Sequence, residues 1–353
     1  MSGGVDSSVA ASLLARDGRS VVGFSMQLVD RLAGEQERYG RCCSPDDFRD
    51  ARRVADRYRF PHYILDMERE FERLVLRPFA DDYATGRTPS PCVRCNTFIK
   101  FGALLSRARA VGADRVATGH YAILEPDRRT GRTLLRRAVD RDKDQSYFLF
   151  DLSDEQRQAA EFPLGRLTKD RVRQLAAEMG LAAADKPESM DLCFVARDES
   201  YRDFLARNRL APAAAPGEVV DGTGRVLGWH DGVSRFTVGQ RRGLGISAAE
   251  RLYVIGVDPS TRRVEVGGDA ALYRDRCVIE RTRWIAFERP GGALRASVRI
   301  RSTHEGAAAS LRELGDGRAE IRFDQPQRAI TVGQAAVAYD GDLVLGGGWI
   351  AAA

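Results

Sequence analysis

The chain has 353 residues, of which 43% are hydrophobic and 30% are charged, as in an ordinary soluble globular protein of two or three domains. No run approaches 18 apolar residues and no signal peptide opens the sequence, so we expect a cytoplasmic protein with no membrane contact. In a cytosolic chain of this length, six cysteines favour metal binding or thiol chemistry over a disulfide framework.

The net charge of +5 is only a mild indication of an anionic partner. Arginine supplies 51 of the 55 basic residues, a bias typical of a GC-rich gene, so arginine abundance is poor evidence for nucleic-acid binding. Lysine occurs only at positions 100, 143, 169 and 186. These four positions are candidates for places where a compact ammonium group is needed.

The chain opens on MSGGVDSSVAASLLARDG, which predicts a glycine turn leading into a helix. Asp6, Ser7 and Ser8 suit a helix N-terminus, Val9 and Leu13 form an apolar i, i+4 pair, and Gly18 fits a C-terminal stop. Unsatisfied amides and the helix dipole would together make this loop an anion site. The loop is not a Walker sequence, and taken alone it is also compatible with a plain turn at a helix start.

Strand-like and helix-like segments alternate up to about residue 195. They are Val21–Met26, a helix from Ser44-Pro45 with Phe48, Ala51, Ala55 and Tyr58 on one face, strand His62–Asp66, helices Glu70–Tyr83 and Thr97–Val111, and strand Arg115–Thr118. This pattern predicts an α/β fold with a doubly wound parallel sheet and ligands at the C-terminal strand ends. Such a fold needs a strand before its phosphate loop, but Met1 abuts the loop. We favour a start upstream of Met1 over a poorly anchored loop.

The pattern becomes β-rich after about residue 215. Leu252–Val257 and Arg263–Val266 predict a hairpin, and an Asp-Gly turn stands at 340–341. Further short strands are predicted at Ala296–Arg301, Ala319–Phe323, Ala335–Ala338 and Leu343–Leu345. We therefore expect a small barrel or sandwich, connected through a linker at Ala211–Pro216.

The cysteines carry the strongest chemical signal. Cys92 and Cys95 form a C-x-x-C just ahead of a predicted helix, whose N-terminus would stabilise a thiolate. Zinc would usually need a second pair, and the next candidate is the single Cys193. Three such cysteines suit a persulfide relay or a [4Fe–4S] cluster with one open iron, and simple burial is the third interpretation. We expect Cys42 and Cys43 to serve mostly in packing, with a redox role as the alternative, and Cys277 to lie in the core.

Three loops hold further candidates, and each is ambiguous alone. In ATGHYA, Gly119 would let a ligand approach closely, and His120 could contact an anion or a base, although a lone histidine is more often structural. DKDQSYFLF places Lys143, Asp144 and Gln145 together, able to grip phosphate or a base or simply to form a surface loop. RFTVGQRRGLGIS is either a turn or a phosphate contact.

SGGVDSS resembles the PP-loop of ATP pyrophosphatases. The chain is identified as a member of the tRNA-specific 2-thiouridylases by further blocks that follow in that family's order over essentially its whole length: PSPCVRCNTFIKF, ATGHYA, DKDQSYFL, LTKDRVRQLA, SMDLCFV, TVGQRRGLGI and GGGWI. Lys100, Lys143 and Lys169 stand inside these blocks, and Lys186 stands just ahead of SMDLCFV. The resemblance implies an adenine nucleotide alpha-hydrolase-like PP-loop domain at 1–196, a central tRNA-contacting domain at 197–267 and a C-terminal β-barrel at 268–353.

The resemblance also implies a reaction. ATP with Mg²⁺ would adenylate the O2 of the wobble uridine in glutamate, glutamine or lysine tRNA, and a persulfide on Cys193 would deliver sulfur to C2. Cys95 would be the nucleophile that frees the sulfur, leaving a Cys95–Cys193 disulfide. The sulfur would come from a cysteine desulfurase or a persulfide relay protein.

The resemblance assigns the site residues in three groups. The catalytic and ATP-binding set would be Ser2, Gly3, Gly4, Val5, Asp6, Ser7, Ser8, Met26 and Gly119, with Asp6 also catalytic. The target base would meet Ser90, Pro91 and Cys92. The tRNA would meet His120, Lys143, Asp144, Gln145, Arg301, Ser302 and Gln334.

Alternatives remain at this stage. Cys92 stands where some members of the family carry aspartate. A third thiolate here strengthens the alternative in which Cys92, Cys95 and Cys193 hold a [4Fe–4S] cluster whose open iron presents sulfide to the base. Of the two mechanisms, we favour the persulfide. A glutamine-dependent amidating synthetase would share the PP-loop but would give no role to Cys95 and Cys193. A third alternative is an RNA-binding or iron–sulfur-sensing protein with a decayed loop, against which the intact Ser2–Ser8 segment argues.

Overall fold

The computed structural model describes residues 1–29, 45–182, 192–195, 199–208, 210, 215–248 and 250–353. These residues divide into two compact units. The first contains Met1–Leu76, Pro91–Phe204 and Asp342–Val344, and the second contains Arg77–Ser90, Leu205–Gly341 and Leu345–Ala353. Within the described ranges, none of the helices has the length and apolar character needed to cross a bilayer.

Helices dominate the first unit. In chain order the α-helices of both units are α1 (Val5–Arg16), α2 (Pro45–Tyr58), α3 (Glu68–Phe71), α4 (Arg77–Ala84), α5 (Pro91–Arg94), α6 (Leu104–Ala110), α7 (Asp154–Gln158), α8 (Lys169–Glu178) and α9 (Tyr201–Arg207). Two wider, π-helical segments follow α3 and α5 without a break, at Glu72–Leu76 and Cys95–Ala103. Short 3₁₀ turns occur at Ser146–Leu149, Val233–Arg235 and Asp269–Leu272.

Strands supply the rest of the framework. They are β1 (Gly23–Gln27), β2 (His62–Asp66), β3 (Val116–Ala117), β4 (Ala122–Pro126), β5 (Thr133–Arg137), β6 (Ala160–Glu161), β7 (Gly217–Asp221), β8 (Val226–His230), β9 (Tyr253–Asp258), β10 (Arg263–Gly267), β11 (Tyr273–Trp284), β12 (Leu294–Arg299), β13 (Ala307–Gly315), β14 (Arg318–Arg328), β15 (Ala335–Asp340) and β16 (Leu343–Ala352).

The first unit contains the parallel strands that the sequence predicts. β1 pairs with β2 in parallel, with Gly23 opposite His62, and β3 pairs with β6 in parallel, with Val116 opposite Ala160. The hairpin of β4 and β5, which the sequence reading missed, is antiparallel. Among the described residues, the first regular element of the chain is α1, which directly follows the glycine loop.

The glycine loop is held by helix packing behind it. Val9 on α1 is fully buried and shares a core with Val172 and Ala176 of α8 and Ala55 of α2. α1 ends at Arg16, and the following Gly18 has a φ of +74°, which a glycine adopts at no steric cost. The predicted start, apolar face and stop of α1 are therefore confirmed.

The helix predicted at Thr97–Val111 begins six residues earlier than expected. Pro91 is its first residue, so Cys92 and Cys95 lie inside the first turns of the helix rather than ahead of it. Proline suits a first helical position because its missing N–H would have no partner there. The helix predicted at Glu70–Tyr83 likewise starts earlier, at Glu68. Apolar spacing failed to show these starts because neither first turn carries an α-periodic apolar pattern.

The second unit is built mainly from two β structures. β7 to β10 form a four-stranded sheet in the order β8-β7-β10-β9, with a core that includes Val219, Val254 and Val264. The predicted hairpin is confirmed as β9 and β10. β11 to β16 form a closed six-stranded antiparallel barrel, because β16 also pairs with β11. Periodicity alone left barrel and sandwich open, the resemblance implied a barrel, and the barrel is confirmed. The sequence reading missed β7, β8 and β13 and gave no bounds for β11.

The interpretation of Cys277 can be compared with the structure. Cys277 on β11 is buried, and burial raises the pKa of its thiol to about 12, as expected of a core cysteine. Cys42 and Cys43 lie outside the described residues, as do Lys186 and positions 211–214 of the predicted linker.

Candidate active site

The glycine loop has the form of an anion-binding turn. Gly4 is the residue before α1, and the first amides of the helix point out of its end without an intrahelical partner. Gly3 has a φ of +68°, and a Cβ there would lie 2.4 Å from the main-chain oxygen of Asp47. Both the backbone conformation and the lack of space therefore require glycine at position 3. Free amides at a helix N-terminus are suited to a phosphate group.

Hydrogen bonds fix the loop to its neighbours. The Met1 amino group donates to the main-chain oxygen of Phe24, and Ser25 Oγ donates to the Met1 carbonyl at 2.6 Å. Within the loop, the Ser2 amide donates to Ser7 Oγ at 3.1 Å, and Ser7 Oγ donates to the Gly4 carbonyl at 3.2 Å. Met26, predicted to contact ATP, lies on β1, the strand that carries Phe24 and Ser25.

The carboxylate of Asp6 is held by two residues that the sequence analysis did not place in the site. Lys169 Nζ lies 2.7 and 2.8 Å from the two carboxylate oxygens, and Tyr121 donates its hydroxyl to Oδ1 at 2.7 Å. The Lys169 side chain is 7% exposed, whereas that of Asp6 is 32% exposed. Part of the Asp6 carboxylate is thus accessible to solvent, while the buried ammonium of Lys169 compensates its charge. The scarcity of lysine was the signal that could have found Lys169.

Gly119 is pressed directly against the loop. A Cβ at this position would lie 2.8 Å from the carbonyl carbon of Asp6 and 2.9 Å from the Ser7 amide nitrogen. Real Cβ atoms essentially never come so close to backbone, so any side chain here would displace the start of α1. The sequence predicts that a ligand approaches Gly119 closely; in this structure, the group in close contact with Gly119 is the glycine loop.

The next residue, His120, is buried and held on both ring nitrogens. Thr118 Oγ1 lies 2.7 Å from Nδ1, and Lys100 Nζ lies 3.3 Å from Nε2. Burial, followed by the charge of Lys100, moves the pKa of His120 well below its usual value, so the ring is neutral at pH 7. A lysine ammonium can only donate; Nε2 therefore accepts, and Nδ1 carries the proton that is donated to Thr118.

The wide helix that carries Cys95 is stabilised by side-chain hydrogen bonds to its surroundings. Gln156 Nε2 donates to the carbonyls of Thr97 at 2.7 Å and Phe101 at 2.9 Å, and Asn96 Nδ2 donates to the Phe148 carbonyl at 3.0 Å. The two Gln156 bonds satisfy helix carbonyls that the wider turn leaves without a well-aligned amide, whereas the Asn96 bond ties the helix to the backbone at Phe148. Cys95 is 7% exposed, and Cys92 is half-buried.

Cys193 lies on a short described segment that reaches the same part of the unit. The neighbouring Phe194 packs edge-on against Phe71 at 5.7 Å between ring centroids. Phe71 ends α3, and the π segment that follows it receives a hydrogen bond from Arg94 Nε to the Leu74 carbonyl at 3.0 Å. The segments of Cys193 and Cys95 thus pack on one helical stretch. Both cysteines are reduced thiols in this structure.

The structure does not gather the three cysteines into a cluster site. Among the described residues, which include Cys92, Cys95 and Cys193, no three histidine, cysteine, aspartate or glutamate side chains come together as a metal would require. A [4Fe–4S] cluster needs its thiolates around one cube, so the observed arrangement does not fit this group.

The loop that holds Lys143, Asp144 and Gln145 is docked beside His120. Gln145 Oε1 accepts from the Tyr121 amide at 3.0 Å, and the Gln145 amide donates to the Tyr121 carbonyl at 2.8 Å. Asp144 accepts from the amides of Ala138 and Ser146. In this structure Asp144 and Gln145 therefore order the loop, and the half-buried Lys143 stands next to them.

The remaining predicted contacts belong to the second unit. Gln334 Nε2 donates to the carbonyls of Thr88 and Pro89, at 3.1 and 3.2 Å, and so fixes the segment that leads to Ser90. Arg301 donates to the Arg328 carbonyl at 3.2 Å, and the Ser302 carbonyl accepts from Arg299. A separate cavity of about 500 Å³ in the first unit, at Arg19, Arg115 and Phe162, contains none of the predicted residues.

Family comparisons agree with this architecture. The family described as tRNA methyl transferase HUP domain matches residues 1–197, the tRNA methyl transferase PRC-barrel domain matches 202–268, and the aminomethyltransferase beta-barrel domain matches 274–350. The fold and the glycine loop thus define a HUP-domain protein, an α/β nucleotide-binding protein, extended by two β domains.

Full-length relatives narrow this class. The tRNA-specific 2-thiouridylase MnmA of Geotalea uraniireducens is 50% identical over 353 residues, covering 99% of this chain and 93% of the relative. That of Solibacter usitatus is 49% identical over 99% of this chain and 97% of the relative. The chain therefore belongs to the tRNA-specific 2-thiouridylase family. Among solved structures, an NMN synthetase from Francisella tularensis is 16% identical to this chain, with a TM-score of 0.34. The match covers 58% of this chain and 69% of the synthetase chain, and the similarity is too weak to support an argument.

Proposed function

We propose that this chain is an ATP-dependent tRNA-uridine 2-sulfurtransferase that replaces the C2 oxygen of the wobble uridine with sulfur in glutamate, glutamine or lysine tRNA. The observation that carries the proposal is the junction at Gly119-His120. Gly119 packs on the anion loop, and His120 bonds to Lys100 on the helix of Cys95. The loop proposed to bind the phosphates and the helix that carries the proposed thiol nucleophile are thus connected within one unit.

ATP would bind with its phosphates on the amides of Ser2–Ser8. Mg²⁺ commonly uses one or two carboxylates together with substrate phosphates, so the accessible Asp6 carboxylate would supply a protein oxygen to the metal that accompanies ATP. When bound, the metal would neutralise phosphate charge. Lys169 and Tyr121 keep the Asp6 carboxylate aimed at this position.

The activation step forms a bond between the uridine O2 and the α-phosphorus of ATP and releases pyrophosphate. The C2–O2 bond then has AMP as its leaving group. Ser90, Pro91 and Cys92 would meet the base, and His120, Lys143, Asp144, Gln145, Arg301, Ser302 and Gln334 are proposed to contact or to order the surface that contacts the tRNA.

The transfer step uses a persulfide on Cys193, supplied by a cysteine desulfurase or relay protein in the cytoplasm. The Cys95 thiolate attacks Sγ of Cys193, a Cys95–Cys193 disulfide forms, and hydrosulfide leaves with the electron pair of the broken S–S bond. Hydrosulfide attacks C2 and AMP departs. A cellular dithiol then reduces the disulfide. We prefer this route to a cluster because the described cysteines do not form a cluster site.

The test is nucleoside mass spectrometry of unmodified tRNA incubated anaerobically with the protein, ATP, Mg²⁺ and a persulfide donor. A 2-thiouridine peak that depends on ATP is expected. Cys95→Ser and Cys193→Ser should each abolish the peak while leaving tRNA affinity within about twofold, whereas Cys92→Ala should retain product. Loss of product in Cys92→Ala together with an iron–sulfur absorption band would favour the cluster route. If the wild-type chain and its native donor yield no product, the proposed activity is refuted.

A further inference from the structure

Lys100 carries a charge that the described structure does not neutralise. Its ammonium nitrogen lies 3.3 Å from His120 Nε2, and in the ranges that the structure describes it forms no ion pair with a carboxylate. Lys169, by contrast, is paired with Asp6. A half-buried ammonium that has no counter-ion in the described ranges is suited to bind an anionic ligand.

His120 fixes the position of this ammonium without cancelling its charge. The imidazole lies between Phe101 and Phe162, at 6.2 and 5.7 Å between ring centroids, and Thr118 occupies its other nitrogen. The ring therefore cannot turn away, and its neutral Nε2 can only accept the hydrogen bond from Lys100. Within the described ranges, two of the three ammonium protons remain available for an anionic acceptor.

The position of Lys100 is what identifies that acceptor. On one side, His120 follows Gly119, which packs on Asp6 and Ser7 of the anion loop. On the other side, Lys100 stands five residues after Cys95 on the same π-helical segment, and helical side chains lean toward the N-terminal turn. In the proposed reaction, the group that must lie near both the nucleotide loop and the hydrosulfide released at Cys95 is the adenylated uridine.

We propose that Lys100 binds the α-phosphate of this adenylated uridine and stabilises AMP as it leaves; the inference rests on the proposed function. In the transfer step sulfur bonds to C2, the electron pair of the C2–O2 bond moves onto oxygen, and AMP gains one negative charge. Lys100 stays protonated and donates a hydrogen bond to the phosphate whose charge increases. A fixed donor at a developing anion is a strong form of catalytic stabilisation.

The first test compares Lys100→Met and Lys100→Arg with an Arg171→Met control, in which an exposed ion pair on α8 is lost. Lys100→Met should lower the rate of 2-thiouridine formation by about 100-fold, the loss typical of one such donor, with tRNA affinity unchanged within about twofold. Lys100→Arg keeps the charge and should recover part of the rate. A Lys100→Met rate within about threefold of wild type would overturn the proposal, whereas an inactive wild type would refute the proposed function instead.

A parallel measurement separates the phosphate from the Cys95 thiolate as the partner of Lys100. The rate of Cys95 alkylation by iodoacetamide is followed against pH in wild type and Lys100→Met. An unchanged profile supports the phosphate assignment. An apparent Cys95 pKa at least about one unit higher in the variant would mean that Lys100 serves the thiolate, because losing a nearby cation raises a thiol pKa, and would overturn it.

A second experiment needs no variant and remains valid if Lys100→Met does not fold. Acetyl adenylate has an electrophilic carbon joined through oxygen to the α-phosphate, as the activated uridine does. At alkaline pH, where a fraction of lysine side chains is uncharged, it transfers its acetyl group to a neighbouring amine with release of AMP. The chain has four lysines, so peptide mass spectrometry can score all of them. Acetylation at Lys100 that exceeds that of Lys143 and is suppressed by ATP supports the proposal. Equal labelling of the two, or no protection by ATP, contradicts it.

Discussion

Replacing Lys169 with methionine tests how the Asp6 carboxylate is held. The change removes the ammonium at 2.7 and 2.8 Å from Asp6 and leaves the carboxylate with the Tyr121 hydroxyl. Breaking a buried pair costs ~3–5 kcal/mol. Because Asp6 is 32% exposed and keeps one hydrogen bond, we expect the lower end, about 3 kcal/mol of unfolding free energy.

The same variant should bind ATP less well. With Lys169 gone, the Asp6 charge acts unopposed on the incoming phosphates, and two unit charges about 5 Å apart repel by about 3 kcal/mol at an effective dielectric constant near 20. That energy corresponds to roughly a 100-fold rise in KM for ATP. Raising the Mg²⁺ concentration should recover part of the loss, because the metal can take over the neutralisation of Asp6.

Urea unfolding and pyrophosphate release at varied ATP and Mg²⁺ measure these effects. A double-mutant cycle with Asp6→Asn isolates the pair, since the methionine should cost little once the carboxylate is gone. Arg171→Met on the same helix is the matched control, and loss of its exposed pair with Glu178 should cost under about 1 kcal/mol. A coupling energy between positions 6 and 169 below about 0.5 kcal/mol would refute the reasoning.

Three further changes probe other parts of the first unit. Gly119→Ala places a Cβ 2.8 Å from the Asp6 backbone and should raise the KM for ATP at least about tenfold without changing the circular dichroism spectrum. An unchanged KM would contradict the role of Gly119 in positioning the glycine loop. Arg157→Met removes a buried guanidinium that donates to the Thr133 carbonyl at 2.7 Å and should cost about 3 kcal/mol or more in urea unfolding; a cost under about 1 kcal/mol would show the site can collapse. Between about pH 7.5 and 5.5, the free energy of unfolding of the wild type should fall by about 1.4 kcal/mol more than that of His120→Gln. The reason is that the histidine gains a proton below its ordinary pKa only in the unfolded chain. Equal decreases in the two proteins would mean that the folded ring also titrates.

Local chemistry made the ends and faces of several elements predictable. The prediction of α1 depended on a glycine loop, an apolar i, i+4 pair and a glycine at the end of the helix, and all three lie within one short stretch of the sequence. The β9–β10 hairpin and the α2 face were equally local. The bounds of β11 were not predicted, because exposed arginines and an aspartate interrupt its alternation and its register is set by barrel neighbours far along the chain.

Motifs in the sequence name candidate site residues, but they do not predict the contacts that these residues make. Asp6, Gly119 and Cys95 could be named from motifs, yet Lys169 lies 163 residues from Asp6, and no spacing rule connects them. Gln145 and Gln334, expected to contact tRNA, hold backbone segments through their amides in this structure. Whether they also meet RNA stays a prediction. The rarity of lysine was the one compositional signal that pointed to both Lys100 and Lys169.

The π-helical stretch Cys95–Ala103 has a consequence for how this helix can vary in length. A π segment is in effect an α-helix with a residue inserted, and each residue of an α-helix turns the chain by about 100°. Deleting one residue between Cys95 and Lys100 would restore ordinary α pairing, but it would also rotate Cys95 by about that angle relative to α6. The direction of the Cys95 side chain thus depends on the number of residues in this segment, and a single-codon deletion would turn the Cys95 thiol away while leaving both Cys95 and Lys100 present.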